Sequence, residues 1–145
     1  MEAIAGTATG AIAHSAFIAD SLDLPLSYVR TAKKEHGLQN LIEGEIIPNQ
    51  RTIVVEDLVS TGSSSLKAVS ALRESKCNIL GMVAIFTYDF AGTIKRFGDA
   101  KCKLYTLSNY KALIKSALDS GAITTREHTL IEKWHENPEK WSDEH

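Results

Sequence analysis

Apolar and polar positions along this chain switch repeatedly between a period of two and a period near four. Residues 2–8 (EAIAGTA) are a run of small apolar residues that predicts a strand ending near Gly10. Residues 11–23 place Ile12, Ala16, Ala19 and Leu22 at helical spacing, so a helix is expected with these four on one face. A short strand follows over 25–30 (PLSYVR). The next ten residues, TAKKEHGLQN, show no apolar period and predict a loop. LIEGEI (41–46) is a weak strand pattern closed by a PNQ turn, and RTIVVEDLV (51–59) is a strong one. Residues 63–75 align Leu66, Val69 and Leu72 along a helix. NILGMVAIFTY (78–88) is apolar almost throughout, which predicts a strand buried on both faces. AGTIKRFG (91–98) predicts an exposed helix with Lys95 and Arg96 in solvent. CKLYTLS (102–108) predicts another strand. Residues 109–120 then carry Tyr110, Leu113, Ile114, Ala117 and Leu118 on one helical stripe. A final helix starts at a Thr cap in TTREHTLIEKWHENP and stops at Pro138.

Strands alternating with helices predict an α/β fold, a three-layer sandwich with a mostly parallel central sheet. Residues 1–122 are expected to form the core domain, with 123–145 a helical tail packed on it. The length of 145 residues suits one domain. A net charge of −2 carries no electrostatic signature of nucleic-acid or membrane-surface binding. No apolar stretch approaches the roughly 20 residues of a membrane helix. The first ten residues hold an acid and no basic n-region, so no secretory signal is expected. Cys77 and Cys102 are far apart and flank strand-like runs. They predict reduced, buried thiols and a cytoplasmic location.

The chemistry concentrates in IVVEDLVSTGSSSLKAV (53–69). Glu56 and Asp57 interrupt an apolar strand, where acids cost stability without a ligand. They are followed by Ser60, Thr61, Gly62, Ser63 and Ser64, then by a helix. Backbone N–H groups, hydroxyls and a helix N-terminus in one concavity suit a phosphate, and Gly62 lets backbone approach it closely. The acids suit sugar hydroxyls, or a Mg²⁺ held partly through water. Together these parts describe a site for a phosphorylated sugar. Neither a Walker loop nor a GxGxxG fingerprint is present.

This stretch resembles the phosphoribosyl-pyrophosphate (PRPP) motif of type I phosphoribosyltransferases: apolar residues, two acids, two apolar residues, then a hydroxyl-rich Thr-Gly turn. The resemblance implies that Glu56 and Asp57 face the ribose hydroxyls and that Ser60, Thr61, Gly62, Ser63 and Ser64 cradle the 5′-phosphate, with Ser60 also near the base. The family often has Asp at both acidic positions, and Glu56 is a common variant. The start of the chain resembles the family's pyrophosphate turn, which assigns backbone N–H groups of Thr7, Ala8, Thr9 and Gly10 to the diphosphate. VRTAKKEHG (29–37) resembles the catalytic loop of orotate phosphoribosyltransferases. Arg30, Lys34 and His36 match the loop's residues. Thr31 stands where the family often has a lysine, and Lys33 is the candidate substitute.

The resemblance implies transfer of a phosphoribosyl group from PRPP to orotate. Lys34 would stabilise the leaving diphosphate, His36 and Arg30 would support it, and Asp57 would serve in the catalytic set. It implies Mg²⁺ carried mainly by PRPP and water, with Glu56 and Asp57 as the protein's candidate carboxylates. It also implies a homodimer whose loops reach into each other's sites. The alternatives are a phosphoribosyltransferase for another base, or a PRPP-binding fragment or regulatory domain without turnover. Two departures bear on the base. The family's usual N-terminal segment, a hood over the base, is not found ahead of the first strand. Tyr88 and Asp89 also stand where the family often places an arginine. His14 is expected to be structural, and Trp134, His135 and Trp141 to serve packing or subunit contact.

Overall fold

Residues 1–30, 41–138 and 141 are described by a computed structural model, and they build one six-stranded sheet. The first unit is β1 (Ala3–Thr7), α1 (Ala11–Ser21) and β2 (Leu26–Val29). A short β3 (Ile42–Gly44) is followed by the long β4 (Arg51–Val59), α2 (Ser63–Glu74) and β5 (Asn78–Thr87). The chain closes with α3 (Ala91–Asp99), β6 (Leu104–Asn109), α4 (Tyr110–Asp119) and α5 (Thr125–Glu136). The strand order is β3-β2-β1-β4-β5-β6. Every neighbouring pair is parallel except β2 with β3, whose antiparallel pairing sets Tyr28 opposite Glu43.

Side chains alternate across the sheet, and the alternation divides the core in two. Ala5, Val54, Met82 and Ala84 point to one face, where Val69 and Leu72 of α2 and Phe97 of α3 cover them. Ile4 and Val55 point to the other, beneath Ala11 and Ala19 of α1. Helices on both faces of a mostly parallel sheet make the expected three-layer sandwich.

Three expectations about packing need correction. The buried residues of α1 are Ala11, Ser15 and Ala19 rather than the Ile12–Ala16–Ala19–Leu22 face. α1 runs so close to β1 that a side chain at Gly6 would overlap Ser15 Oγ, so only small residues fit on the facing stripe. Leu22 becomes the exposed C-cap. β5 is not buried on both faces, since Leu80 and Ile85 are exposed. α1 packs over β1, β2 and β4, and on β6 Tyr105 and Leu107 are also exposed. In α4 only Tyr110 and Ile114 are buried, and Leu113 and Leu118 face outward.

α5 is capped as its sequence predicts. Thr124 accepts from Glu127 N–H, and the Glu127 carboxylate accepts from Thr124 N–H, a reciprocal box that satisfies two otherwise unpaired donors. The helix ends at Asn137, before Pro138. Its Trp134 and His135 join Tyr88, Phe90 and Tyr110 in one aromatic group, with His135 stacked 4.0 Å from Tyr110. His14 lies on the exposed side of α1. Cys77 and Cys102 are free and buried, and burial pushes both thiols up. Among the described residues, no helix is long and apolar enough to cross a membrane.

Candidate active site

β1 sits between β2 and β4, and the chain leaves it in opposite directions on its two sides. α1 carries it to β2 across one face, and α2 carries β4 to β5 across the other. A crevice opens at the carboxyl ends of strands where such a reversal occurs, and ligands of open α/β sheets bind there. Both candidate turns lie at this point, residues 8–10 after β1 and 60–62 after β4, on strands paired with each other.

The two acids of β4 are neighbours in sequence and so point to opposite faces. Asp57 turns toward α1. A Cβ added at Gly10 would overlap its carboxylate, so the bare Gly10 backbone is what lets Asp57 lie against the helix start. A carboxylate there is favoured by the partial positive charge of the helix N-terminus. Its Oδ1 accepts from Leu58 N–H at 2.9 Å. Glu56 turns the other way, under α2, and is only 5% exposed. Its Oε2 accepts from Ser65 Oγ at 2.9 Å and its Oε1 from Asp57 N–H at 3.2 Å. Burial pushes the Glu56 carboxyl up to about 7, and the neighbouring Asp57 adds to the rise.

The first turn is made from backbone. The Thr7 hydroxyl is turned inward, donating to Val55 O at 3.3 Å, so Thr7 has only its main chain to offer a ligand. The Ala8–Thr9 peptide is cis, and Thr9 and Gly10 are exposed. The second turn combines backbone with hydroxyls. Gly62 has φ +80°, a left-handed conformation that other residues rarely adopt, and Phe97 packs where its side chain would be. Thr61, Ser63 and Ser64 are exposed, and Ser60 is half-buried.

Sequence reasoning missed what holds this second turn. Thr93 Oγ1 donates to Ser60 O at 2.8 Å, and Arg96 Nη1 donates to Thr61 O at 2.9 Å. Both donors come from α3, and Thr93 is 1% exposed. The expectation that Arg96 is merely solvated is therefore wrong: its guanidinium is anchored on the turn. The carbonyls of the turn are tied to α3, behind the crevice.

Arg30 leaves β2 at the same end of the sheet. It pairs with Glu43 of β3 at 3.5 Å, and its N–H donates to Leu41 O. It shares with Ser63 and Lys67 the wall of a 420 Å³ cavity between β2 and α2. The structure thus brings Arg30 to the start of α2. Thr31, Lys33, Lys34 and His36 lie outside the described residues. Among the described residues, no cluster of three or more metal-ligating side chains occurs. Asp57 is the carboxylate the crevice offers a cation; the expectation that Glu56 stands beside it at the ribose is corrected, since Glu56 is buried under α2 with both oxygens accepting from protein donors. One carboxylate suits Mg²⁺, which keeps several waters and takes one or two carboxylates plus substrate phosphates.

Residues 2–119 match the family model described as the phosphoribosyl transferase domain, a span that contains the sheet and both turns. The chain is 50% identical over 141 residues to an orotate phosphoribosyltransferase of Phocaeicola vulgatus. That alignment takes in 97% of this chain and 66% of the relative, so the chain spans about two thirds of the relative's length. The crystal structure of orotate phosphoribosyltransferase from Aeropyrum pernix superposes with a TM-score of 0.72 at 28% identity, over 79% of this chain and 64% of that one. The orotate phosphoribosyltransferase of Mycobacterium tuberculosis H37Rv, in a complex with PRPP, shares the fold with a TM-score of 0.64 at 22% identity, over 78% and 65% of the two chains. A match that runs through the crevice, joined to half-identity along nearly the whole chain, places this chain in the phosphoribosyl transferase family, among the orotate phosphoribosyltransferases.

Proposed function

We propose that the protein transfers the 5-phosphoribosyl group of PRPP to orotate, giving orotidine 5′-monophosphate and pyrophosphate in de novo pyrimidine synthesis. The observation that carries this is the crevice itself: a backbone turn and a hydroxyl turn on paired strands, with Asp57 between them. The half-identical relative supplies the base. In the reaction the bond from the ribose anomeric carbon to the diphosphate oxygen breaks. A bond to the orotate ring nitrogen forms, and that nitrogen loses its proton.

Each group has a task that follows from its chemistry. Ser60 to Ser64 take the 5′-phosphate, with Ser60 near the base. Asp57 accepts from ribose hydroxyls, while Glu56 is buried under α2. The backbone of Thr9 and Gly10 meets the diphosphate, flanked by Thr7 and by Ala8, whose N–H is already donated to Val29 O at 2.7 Å. Arg30, Lys33, Lys34 and His36 neutralise it as it leaves, with Lys34 the leading cation. Asp57 is the protein group that would hold Mg²⁺, which when bound offsets charge on the diphosphate. The protein acts as a homodimer in the cytoplasm, with loops shared between sites, as the family resemblance implies.

A coupled assay of pyrophosphate release with PRPP, Mg²⁺ and a panel of bases tests the reading. Orotate is expected to be the preferred base, and release with a purine alone would overturn the base assignment. The Tyr88–Asp89 pair in place of an arginine keeps a second base in view. PRPP binding without any release would mark a regulatory or incomplete site. Lys34→Ala is expected to lower kcat by about 10²-fold or more, the scale of lost electrostatic catalysis.

A further inference from the structure

We propose that His135 is a positioning residue for the acceptor base, fixing the Tyr88–Phe90 loop on the β5 side of the crevice. The proposal rests on the phosphoribosyl-transfer reading above. In that reading the diphosphate lies at the turn after β1 and the ribose at Asp57 of β4. The strand order puts β1 on one side of β4 and β5 on the other. With the leaving group occupying the β1 side of the ribose, the incoming base has the β5 side to approach from. The Tyr88–Phe90 loop stands there. Tyr88 N–H donates to Val59 O at 3.1 Å, one residue ahead of Ser60. Thr61 of the phosphate turn, Asp89, Phe90 and His135 line one cavity of 580 Å³. The loop bends sharply, since Asp89 has φ +54°, and its N–H donates to Thr87 Oγ1 at 3.1 Å. α5 supplies a hold from outside. His135 Nε2 meets Tyr88 O at 2.5 Å. A carbonyl can only accept, so Nε2 carries the hydrogen. The imidazole is itself seated, stacked 4.0 Å from Tyr110 and 5.1 Å from Phe90, and Phe90 stacks on Tyr88. One side chain of α5 thus grips both ends of the loop, Tyr88 by its carbonyl and Phe90 by its ring. The phosphates of PRPP are met by other turns, so loosening this loop should fall on the base.

Steady-state kinetics on the full chain test this, with orotate and PRPP varied in turn in the presence of Mg²⁺. Wild type is compared with His135→Phe and His135→Gln. His135→Phe keeps a ring against Tyr110 and removes the donor. It is expected to raise KM for orotate by about tenfold, the scale of one lost hydrogen bond, and KM for PRPP by less than about twofold. His135→Gln returns an N–H donor and is expected to bring KM for orotate back within about threefold of wild type. A proportional rise in both KM values would show a general packing role and overturn the proposal. So would an unchanged KM for orotate in His135→Phe, or a glutamine variant no better than the phenylalanine one. If wild type prefers another base, the same split is read on that base, so the base assignment can fall while this proposal stands. A wild type without turnover on any base takes both readings down, whereas an active wild type with indifferent His135 variants sinks this proposal alone.

Discussion

The turn after β1 and the turn after β4 stand side by side in one crevice but are built in opposite ways. The first depends on what is absent: Gly10 has ordinary helical dihedrals, φ −61° and ψ −39°, so no conformational demand calls for glycine. What calls for it is the Asp57 carboxylate, which lies where a side chain would be. The second turn depends on what is added behind it. Thr93 and Arg96 of α3 hold its carbonyls, and Phe97 packs on Gly62. One cradle is kept clear and the other is braced.

The sharpest way to break this contrast is Gly10→Ala. The backbone tolerates the substitution, so the fold should survive, yet the methyl must displace Asp57. Activity is expected to fall by about 10²-fold, the cost of moving a reacting group by about an ångström. Unchanged kcat/KM would show that Asp57 can relocate freely. On the braced side, Thr93→Val preserves shape and removes the donor to Ser60 O. Leaving that carbonyl without its partner is expected to cost about 1–3 kcal/mol of stability, read by urea denaturation, with a raised KM for PRPP. Arg96→Ala removes a bond nearer solvent and should cost about 0.5–1.5 kcal/mol by the same measurement. If Arg96→Ala proved costlier than Thr93→Val, the exposed strut would be the main brace.

An effect is also expected from pH. The folded Glu56 carboxyl is raised to about 7 from 4.5, so the folded state holds the proton more tightly than the unfolded chain does. Its contribution to stability is full below about 4.5 and is lost as pH rises through about 7. Glu56→Gln should flatten that part of the profile in thermal melts across pH 4.5–7.5. A slope identical to wild type would assign the titration elsewhere.

Much of the fold was legible because its signals are local. The apolar run of β4, the Thr124 box and the Ser60–Ser64 turn each occupy a few consecutive residues. What escaped depends on distance. The bonds from Thr93 and Arg96 to the turn span 33 and 35 residues, and their acceptors are carbonyls, which no side chain announces. The opposite directions of Glu56 and Asp57 follow from strand alternation, yet which helix each would meet depends on crossovers. The buried stripe of α1 was misjudged because closeness to Gly6 selects small residues over apolar ones. The roles of Lys33, Lys34 and His36 rest on sequence alone.

The position of β1 carries a last consequence, for how the chain assembles. Its few residues fill the middle of the sheet, while the bond from Thr7 to Val55 reaches across 48 positions. β1 is made well before β4 and must wait for it before both its edges are paired. Long-range parallel pairing of this kind forms slowly. A nascent chain that stops before β4 would hold β1 with one edge open, a target for proteases and for foreign strands.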